Sequence, residues 1–478
     1  MLVPRALLGV PGAVQLKRSP SSQETLRQVQ ADILANRWDQ AQAKLDALAP
    51  RLKGNGEFHF LNAALLFHRE ELTRALEEVD GAIGINPQEA RYYLLRGQMY
   101  ERIGDVSAAQ RDYGKNIELA PAVPAGVLLL EKLLLQERRA EDALPVVEQA
   151  VKRLPKDPAL HFELGRVQEI LRRSPEALGS YARAVELDPK LAAAHVGLGR
   201  LYRVNPDTIA QSVEHLRQAV ALQPRSALWH HELGLTYLRQ GNLEEARVEL
   251  EKAAELNPKD RNVFAALGTA YTRLKMPKEA AEAQRRSFAL TQESGQETYR
   301  LAQLEADLTH AQELEFSGRS QEALDLYQQI LKTSPEEPQV FFALARLHLS
   351  THQSKIAAEY IRRALKLRPA RAEYHQLYAM ALVDLGRPDE AELELRTAIL
   401  LRPTDSTSRN ALGDLLMREG HVEAAIEAYQ QAVQLAPEEP SCRLSLSRAY
   451  RRKGDLAAAD RELDAYSSLL ARRPSSHQ

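Results

Sequence analysis

The stretch Leu228–Pro258, LWHHELGLTYLRQGNLEEARVELEKAAELNP, describes two short amphipathic helices joined by a tight turn. In its first half Leu233, Gly234 and Tyr237 fall on one helical face, and in its second half Ala246, Leu250 and Ala253 do the same. Gly241 stands where the first helix can stop, because glycine readily enters the left-handed conformation of helix C-termini, and Asn242 is placed to help start the second. Pro258 lacks a backbone donor and pushes Asn257 out of helical geometry, so the second helix must end before it.

Working outward, the same hairpin recurs with a period of 34 residues. Pro87, Pro121, Pro155, Pro189, Pro224 and Pro258, then Pro335, Pro369, Pro403 and Pro437, close successive units, with one gap of 35 and one longer break. With Ala227 as position 1, position 20 is the place where the two helices cross closely and must be small. It reads Ala41, Ala75, Ala109, Ala143, Ala177, Ser212, Ala246, Ala280, Ala323, Ala357, Ala391, Ala425 and Ala459. Position 8 reads Ala63, Gly97, Gly165, Gly199, Gly234, Gly268, Ala311, Ala345, Ala379, Gly413 and Ser447, with Val29 and Glu131 as exceptions, so eleven of thirteen are small.

These columns resemble the tetratricopeptide repeat (TPR), whose 34-residue helix pair carries a W-x2-L-G-x2-Y…A-x3-F…A…P pattern. The resemblance rests on Phe264-x2-Leu267-Gly268-x2-Tyr271, Leu164-Gly165, Leu198-Gly199-x2-Tyr202 and Leu412-Gly413. It is weakest in the first, fourth and last units, and thirteen units tile residues 22–473. It implies an all-α fold, an α-solenoid of helix-turn-helix hairpins wound as a right-handed superhelix. In such a stack each unit touches its neighbours and stability accumulates from adjacent interfaces.

Periodicity breaks once, where Gln292 replaces the expected proline and ESGQETYRLAQ intervenes. The expected organisation is a first block of about eight repeats at 22–294, a connecting insert at 295–303, a second block of about five repeats at 304–473, and a tail at 474–478. Without the proline the second helix of the eighth unit can run on through the insert, with Gly295 as its weak point; a surface loop is the alternative. Residues 1–21 lie outside the repeats. Pro11 and Gly12 interrupt the apolar core a signal peptide needs, so a disordered tail and a cytoplasmic location are expected, with a degenerate targeting segment and an exported, periplasmic protein as the alternative.

Composition is that of a helical protein: 44% hydrophobic, 27% charged, net charge −2. That balance argues against nucleic acid as partner, and no apolar run reaches the ~20 residues needed to cross a bilayer. The single cysteine, Cys442, rules out an intramolecular disulfide and is expected as small core filler. Oligomeric state is not readable.

No catalytic constellation emerges, and no cofactor or metal is expected. His231-Glu232 begins like a zinc motif, but Leu235 stands where the second histidine belongs; His348 and His352 have helical spacing without the glutamate or a third ligand. Gly197-Leu198-Gly199 lies inside a repeat helix and lacks the third glycine of a dinucleotide loop. Neither a phosphate loop nor a nucleophile elbow is present. Tyr113, Tyr181, Tyr327 and Tyr429, all at position 24, are expected in the core rather than in a ligand cage.

The TPR resemblance implies that positions 2, 5, 9, 12 and 13 of each unit face a concave groove. There Lys132, Arg166 and Arg200 recur at position 9, Arg203 lies at position 12 of its unit, and Arg102, Arg239 and Arg273 at position 13, beside the apolar Leu128, Leu135 and Phe162. The expectation is a protein-interaction scaffold, not an enzyme, whose groove takes a protein or peptide partner with an acidic or C-terminal segment. An accessory subunit of an enzyme complex or of a secretion or envelope machine is the alternative. The position-9 cations are expected to be solvated, with Glu131, Glu163 and Glu169 placed within a helical turn to neutralise them as surface pairs. A chaperone-tail carboxylate clamp needs groove asparagines, which position 9 of these units lacks, and is not expected.

Overall fold

A computed structural model describes residues 20–52 and 54–472 of the chain. The tail at 474–478 and all but the last two residues of the 1–21 segment lie outside the described residues. Within them are twenty-five α-helices, one short 3-10 helix at Pro206–Thr208 and no strand. Each hairpin follows the plan set by its sequence, as in Ala227–Gln240 with Leu243–Leu256 and Ala372–Asp384 with Pro388–Leu401.

The turn between the two helices of a unit is built at position 15, where the backbone is left-handed in twelve of thirteen units. Glycine fills the place six times; Asn36, Glu70, Arg138, Arg172, Lys275 and His352 fill it otherwise, with φ between 57° and 64°. Each non-glycine residue there is strained by roughly 1–2 kcal/mol, which the surrounding packing offsets. The sixth unit departs from the plan, its inserted residue giving the 3-10 turn Pro206–Thr208 instead. Gly241 stops its helix as expected, with φ 94°. Asn242 does not cap the next helix through its side chain, which donates to Gln240 Oε1 at 3.1 Å. His352 is likewise beyond the end of its helix, Pro338–Ser350, so the His348/His352 spacing is not helical.

The small residue at position 8 is required by the residue at position 24 of the same unit. A Cβ on Gly97 would lie 2.6 Å from the Tyr113 ring, on Gly165 2.7 Å from Tyr181, and on Gly413 2.5 Å from Tyr429. All four tyrosines of this column are buried. Their hydroxyls donate to carboxylates on the first helix: Tyr113 to Glu101 at 2.8 Å, Tyr181 to Glu169 at 2.7 Å and Tyr429 to Asp414 at 2.7 Å, with Tyr327 to Glu315 longer at 3.4 Å. A buried phenol needs such a partner, so the column is core with a polar tip.

Consecutive units are joined by a second column. The position-4 side chain donates to the carbonyl of the closing proline of the preceding unit: Tyr93 to Pro87, His161 to Pro155, His195 to Pro189, His230 to Pro224, His375 to Pro369, Arg409 to Pro403 and Arg443 to Pro437, at 2.6–3.2 Å. Tyrosine, histidine and arginine share only a donor at the right reach.

Contacts group the chain into two compact units, one joining residues up to Leu119 with those from Leu304 onward, the other being Ala120–Gln303. In the second, Leu216, Leu233, Leu250, Ala253 and Val263 form a continuous core across three repeats. In the first, Tyr327, Ile330, Val340 and Leu344 form one such layer. The stretch at 295–303 is not a loop. It lies within a single helix, Pro277–Phe316, and every residue from 291 to 303 whose burial is described is exposed. With Gln292 in place of proline, nothing stops that helix until Phe316. Cys442 is buried, and among the described residues no helix is long and apolar enough to cross a membrane.

Candidate functional site

The proposed wall is carried by the first helices of the fourth to eighth units, Ala125–Gln136, Pro158–Ile170, Ala192–Tyr202, Ala227–Gln240 and Arg261–Arg273, all in the compact unit Ala120–Gln303. Leu128, Leu135 and Phe162 are half-buried on it, and Lys132 is exposed. Three further apolar side chains at wall positions stand in water: Ile170 at 52%, Val204 at 68% and Leu228 at 56% exposure. These were not singled out from the sequence, although positions 13, 13 and 2 of their units mark them as groove-facing under the repeat numbering.

The position-9 arginines are held by the three glutamates that the sequence placed near them, and are partly exposed rather than freely solvated. Arg166 Nη2 donates to both oxygens of Glu131 at 2.8 and 2.7 Å, and Arg166 Nε lies 2.6 Å from Glu163. Glu131 is completely buried. It occupies the position-8 place that is small in eleven of thirteen units, so this carboxylate must be matched by a cation from the next unit, and Arg166 supplies it. Arg200 Nη2 donates to Glu169 of the preceding unit at 2.8 Å, the same carboxylate that accepts from Tyr181. In the other compact unit Arg346 repeats the arrangement on Glu315 at 2.9 and 2.8 Å. Arg203 pairs with Glu232 of the following unit at 2.6 Å.

At position 13 Arg102 pairs with Glu70 at 2.5 Å, while Arg239 and Arg273 do a different job. Arg239 donates to the Val204 carbonyl at 2.7 Å and Arg273 to the Leu238 carbonyl at 2.6 Å, each tying down the end of the preceding first helix, as Arg452 does on Met417 at 2.7 Å. A cation at a helix C-terminus satisfies an orphan carbonyl and opposes the helix dipole. These bonds use neutral acceptors, and among the described residues no carboxylate contacts exposed Arg239 or Arg273.

The electrostatics of the Glu131–Arg166–Glu163 cluster are dominated by burial. Loss of water and the adjacent Glu131 charge push the Glu163 carboxyl up to about 7, and burial raises Glu131 against the pull of Arg166. One guanidinium thus serves two carboxylates, and this cluster carries no net positive charge at neutral pH. The middle of the wall is apolar and neutral, and its cationic end is at Arg239 and Arg273. Among the described residues, no group of three or more His, Cys, Asp or Glu is placed to hold a metal ion.

Models of the tetratricopeptide repeat match residues 90–123, 132–192, 227–260, 317–380, 372–405 and 410–477, together more than half of the chain. The chain belongs to the tetratricopeptide repeat family. As a TPR protein it carries the fold of a protein-interaction scaffold. Over 141 residues it is 32% identical to the type IV pilus assembly protein PilF of Pseudomonas aeruginosa, a stretch covering 28% of this chain and 51% of that protein. The TPR chain therefore matches about half the length of that curated relative. Similar solved structures include a thermophilic TPR protein of Thermus thermophilus, 22% identical, covering 38% of this chain and all of that one, with a TM-score of 0.33. Another is YrrB, described as a TPR protein with an unusual peptide-binding site, 21% identical, covering 40% and 98%, with a TM-score of 0.33. A third is MamA of Desulfovibrio magneticus, 22% identical, covering 35% and 94%, with a TM-score of 0.32.

Proposed function

We propose that the chain is a non-enzymatic scaffold that binds an extended segment of a partner protein along the first-helix wall of its fourth to eighth units, anchored by apolar side chains. The observation that carries this is the exposure of Ile170, Val204 and Leu228 at wall positions of the fifth to seventh units, with half-buried Leu128, Leu135 and Phe162 at wall positions of the fourth and fifth. Large apolar side chains left in water are a cost that a partner's apolar anchors remove. Charge has a secondary role: Arg166 and Arg200 are committed to carboxylates of the chain, so an acidic or C-terminal end of the segment is received by Arg239 and Arg273.

The test uses the full chain as bait. Ile170→Glu with Leu228→Glu should abolish recovery of the partner held by the wild type, with circular dichroism unchanged. Arg239→Ala with Arg273→Ala should weaken recovery and flatten its salt dependence. Undiminished recovery by the apolar double variant would defeat this reading.

A second reading is favoured by the identity to PilF: an accessory subunit in the assembly of a larger machine, exported or not. It predicts that the partner arrives as part of a multi-subunit envelope complex, and recovery of a lone soluble protein would count against it.

A further inference from the structure

Within the compact unit that joins residues up to Leu119 with those from Leu304 onward, a cavity of about 320 Å³ lies between the second and third repeats and the eleventh and twelfth. Asp80, Arg96, Tyr100, Arg111 and Asp112 line one side; Arg396, Ile399, Leu400 and Arg409 line the other. Four guanidinium groups thus share one small space with two carboxylates.

Both carboxylates are already spoken for. Arg96 Nε and Nη2 donate to Asp112 at 2.7 Å each, and its Nη1 donates to Asp80 at 2.7 Å. Arg396 is paired outside the cavity with Glu392 at 2.6 Å. Arg409 finds only neutral acceptors: Nη1 donates to the Pro403 and Asp405 carbonyls at 2.6 and 3.2 Å, and Nε to Gln431 at 3.2 Å. Burial, with Arg111 among its surroundings, pulls the Arg409 guanidinium below its ordinary range. Arg111 makes no hydrogen bond or ion pair within the described residues. The phenol of Tyr100, only 3% exposed, also lines the cavity and has no acceptor among the described residues. The Tyr100 hydroxyl is thus left to donate into the cavity, and two guanidinium groups without a contacting carboxylate leave the space positive.

We infer that this cavity is an oxyanion site, in which the Tyr100 hydroxyl and the Arg111 and Arg409 guanidinium groups receive a phosphate or carboxylate group while Arg96, fixed by its two aspartates, forms the floor. Guanidinium forks match the planar oxygen pairs of such anions, and the apolar Ile399 and Leu400 leave room for a small organic body. Because its donors come from residues 100–111 and from 409, an anion there links two segments of the chain far apart in sequence and raises the stability of that compact unit by mass action.

The experiment is a thermal and calorimetric titration of the full chain with inorganic orthophosphate and, separately, with the carboxylate probe citrate, each at ionic strength matched with sodium chloride. General salt effects act on every variant alike, so the comparison is with Tyr100→Phe and Arg111→Gln. A saturable rise in Tm for at least one anion is expected, with the apparent affinity reduced roughly tenfold by Arg111→Gln and severalfold by Tyr100→Phe. Which probe binds identifies the source chemistry: phosphate alone indicates a phosphorylated ligand, citrate alone a carboxylate, both a general oxyanion site. Responses that are non-saturable, or identical in the wild type and both variants, would overturn the assignment.

Discussion

His195 Nδ1 lies 3.0 Å from His215 Nδ1, in a place where other repeats set a carboxylate against the position-4 side chain: Glu249 against His230 at 2.6 Å, Glu394 against His375 at 2.5 Å, Glu462 against Arg443 at 2.9 Å. His195 also donates through Nε2 to the Pro189 carbonyl at 3.1 Å. The two rings can share a bond when both are neutral or when one extra proton lies between them. A second proton sets donor against donor. Tyr202 stacks on His215, and burial, then the His195 charge, hold the His215 imidazole below its ordinary range.

The first prediction follows from the sign of that shift. Below an unfolded pKa near 6.5 the unfolded chain binds a proton that folded His215 resists, so stability from this site is present above that pH and is lost as pH falls through the lowered folded value. His215→Glu, which restores the carboxylate of the other repeats, should flatten the loss of Tm between pH 7 and pH 5. An unchanged pH profile in the variant would remove His215 from the account.

The paired glycine columns give a second prediction. Gly165→Ala drives a Cβ to 2.7 Å from Tyr181 and should cost about 1–3 kcal/mol by overpacking. Gly179→Ala, on an exposed helix face with nothing within 4 Å, should instead stabilise by up to ~1 kcal/mol. Urea denaturation of the two variants should therefore shift in opposite directions.

Reversing Arg166 should be far more harmful than reversing an exposed cation. Arg166→Glu removes the partner of completely buried Glu131 and adds a like charge, with an expected loss of about 3–5 kcal/mol, against under ~0.5 kcal/mol for Lys132→Glu. Glu163 adds a pH signature. Its folded pKa of about 7 lies above the ordinary 4.5, so between those values the folded state holds the extra proton and stability falls as pH rises. Glu163→Gln should gain on the wild type at pH 8 and lose that advantage at pH 5, as read by chemical denaturation.

We also expect limited proteolysis to cut first within residues 291–303, where the Pro277–Phe316 helix has its described side chains in water and rests on its own hydrogen bonds. Gly295→Ala should slow the cleavage by favouring the helix, since nothing within 4 Å opposes the added methyl. Cleavage elsewhere first would argue against dividing the repeats into blocks at this stretch.

Much of the hairpin plan was legible because it is written in residue types that cannot be exchanged: a proline every 34 residues, alanine at position 20, glycine or alanine at position 8. The left-handed turn at position 15 was legible at its glycines, such as Gly241, but not as a column, since half of its occupants are residues such as Arg138 and His352 that tolerate the strain without advertising it. The proline-carbonyl column was hidden for a related reason, its donors being tyrosine, histidine or arginine by turns. For the candidate site, the cations of the wall were visible but not their commitments. Glu131 was visible as an exception in a column of small residues; the missing step was that a carboxylate forced into so tight a place requires a cation from the neighbouring repeat, and Arg166 stands 35 residues on.

The continuity of the helix through 295–303 constrains how this stretch can change in length over evolutionary time. A surface loop absorbs insertions and deletions of almost any size, but a helix converts every added residue into about 100° of rotation and 1.5 Å of advance for all that follows. Inherited length changes here should therefore come in steps close to whole turns, about three or four residues, or closer still about seven or eleven. Single-residue indels should be rare in a place that, judged by its irregular sequence, looks permissive.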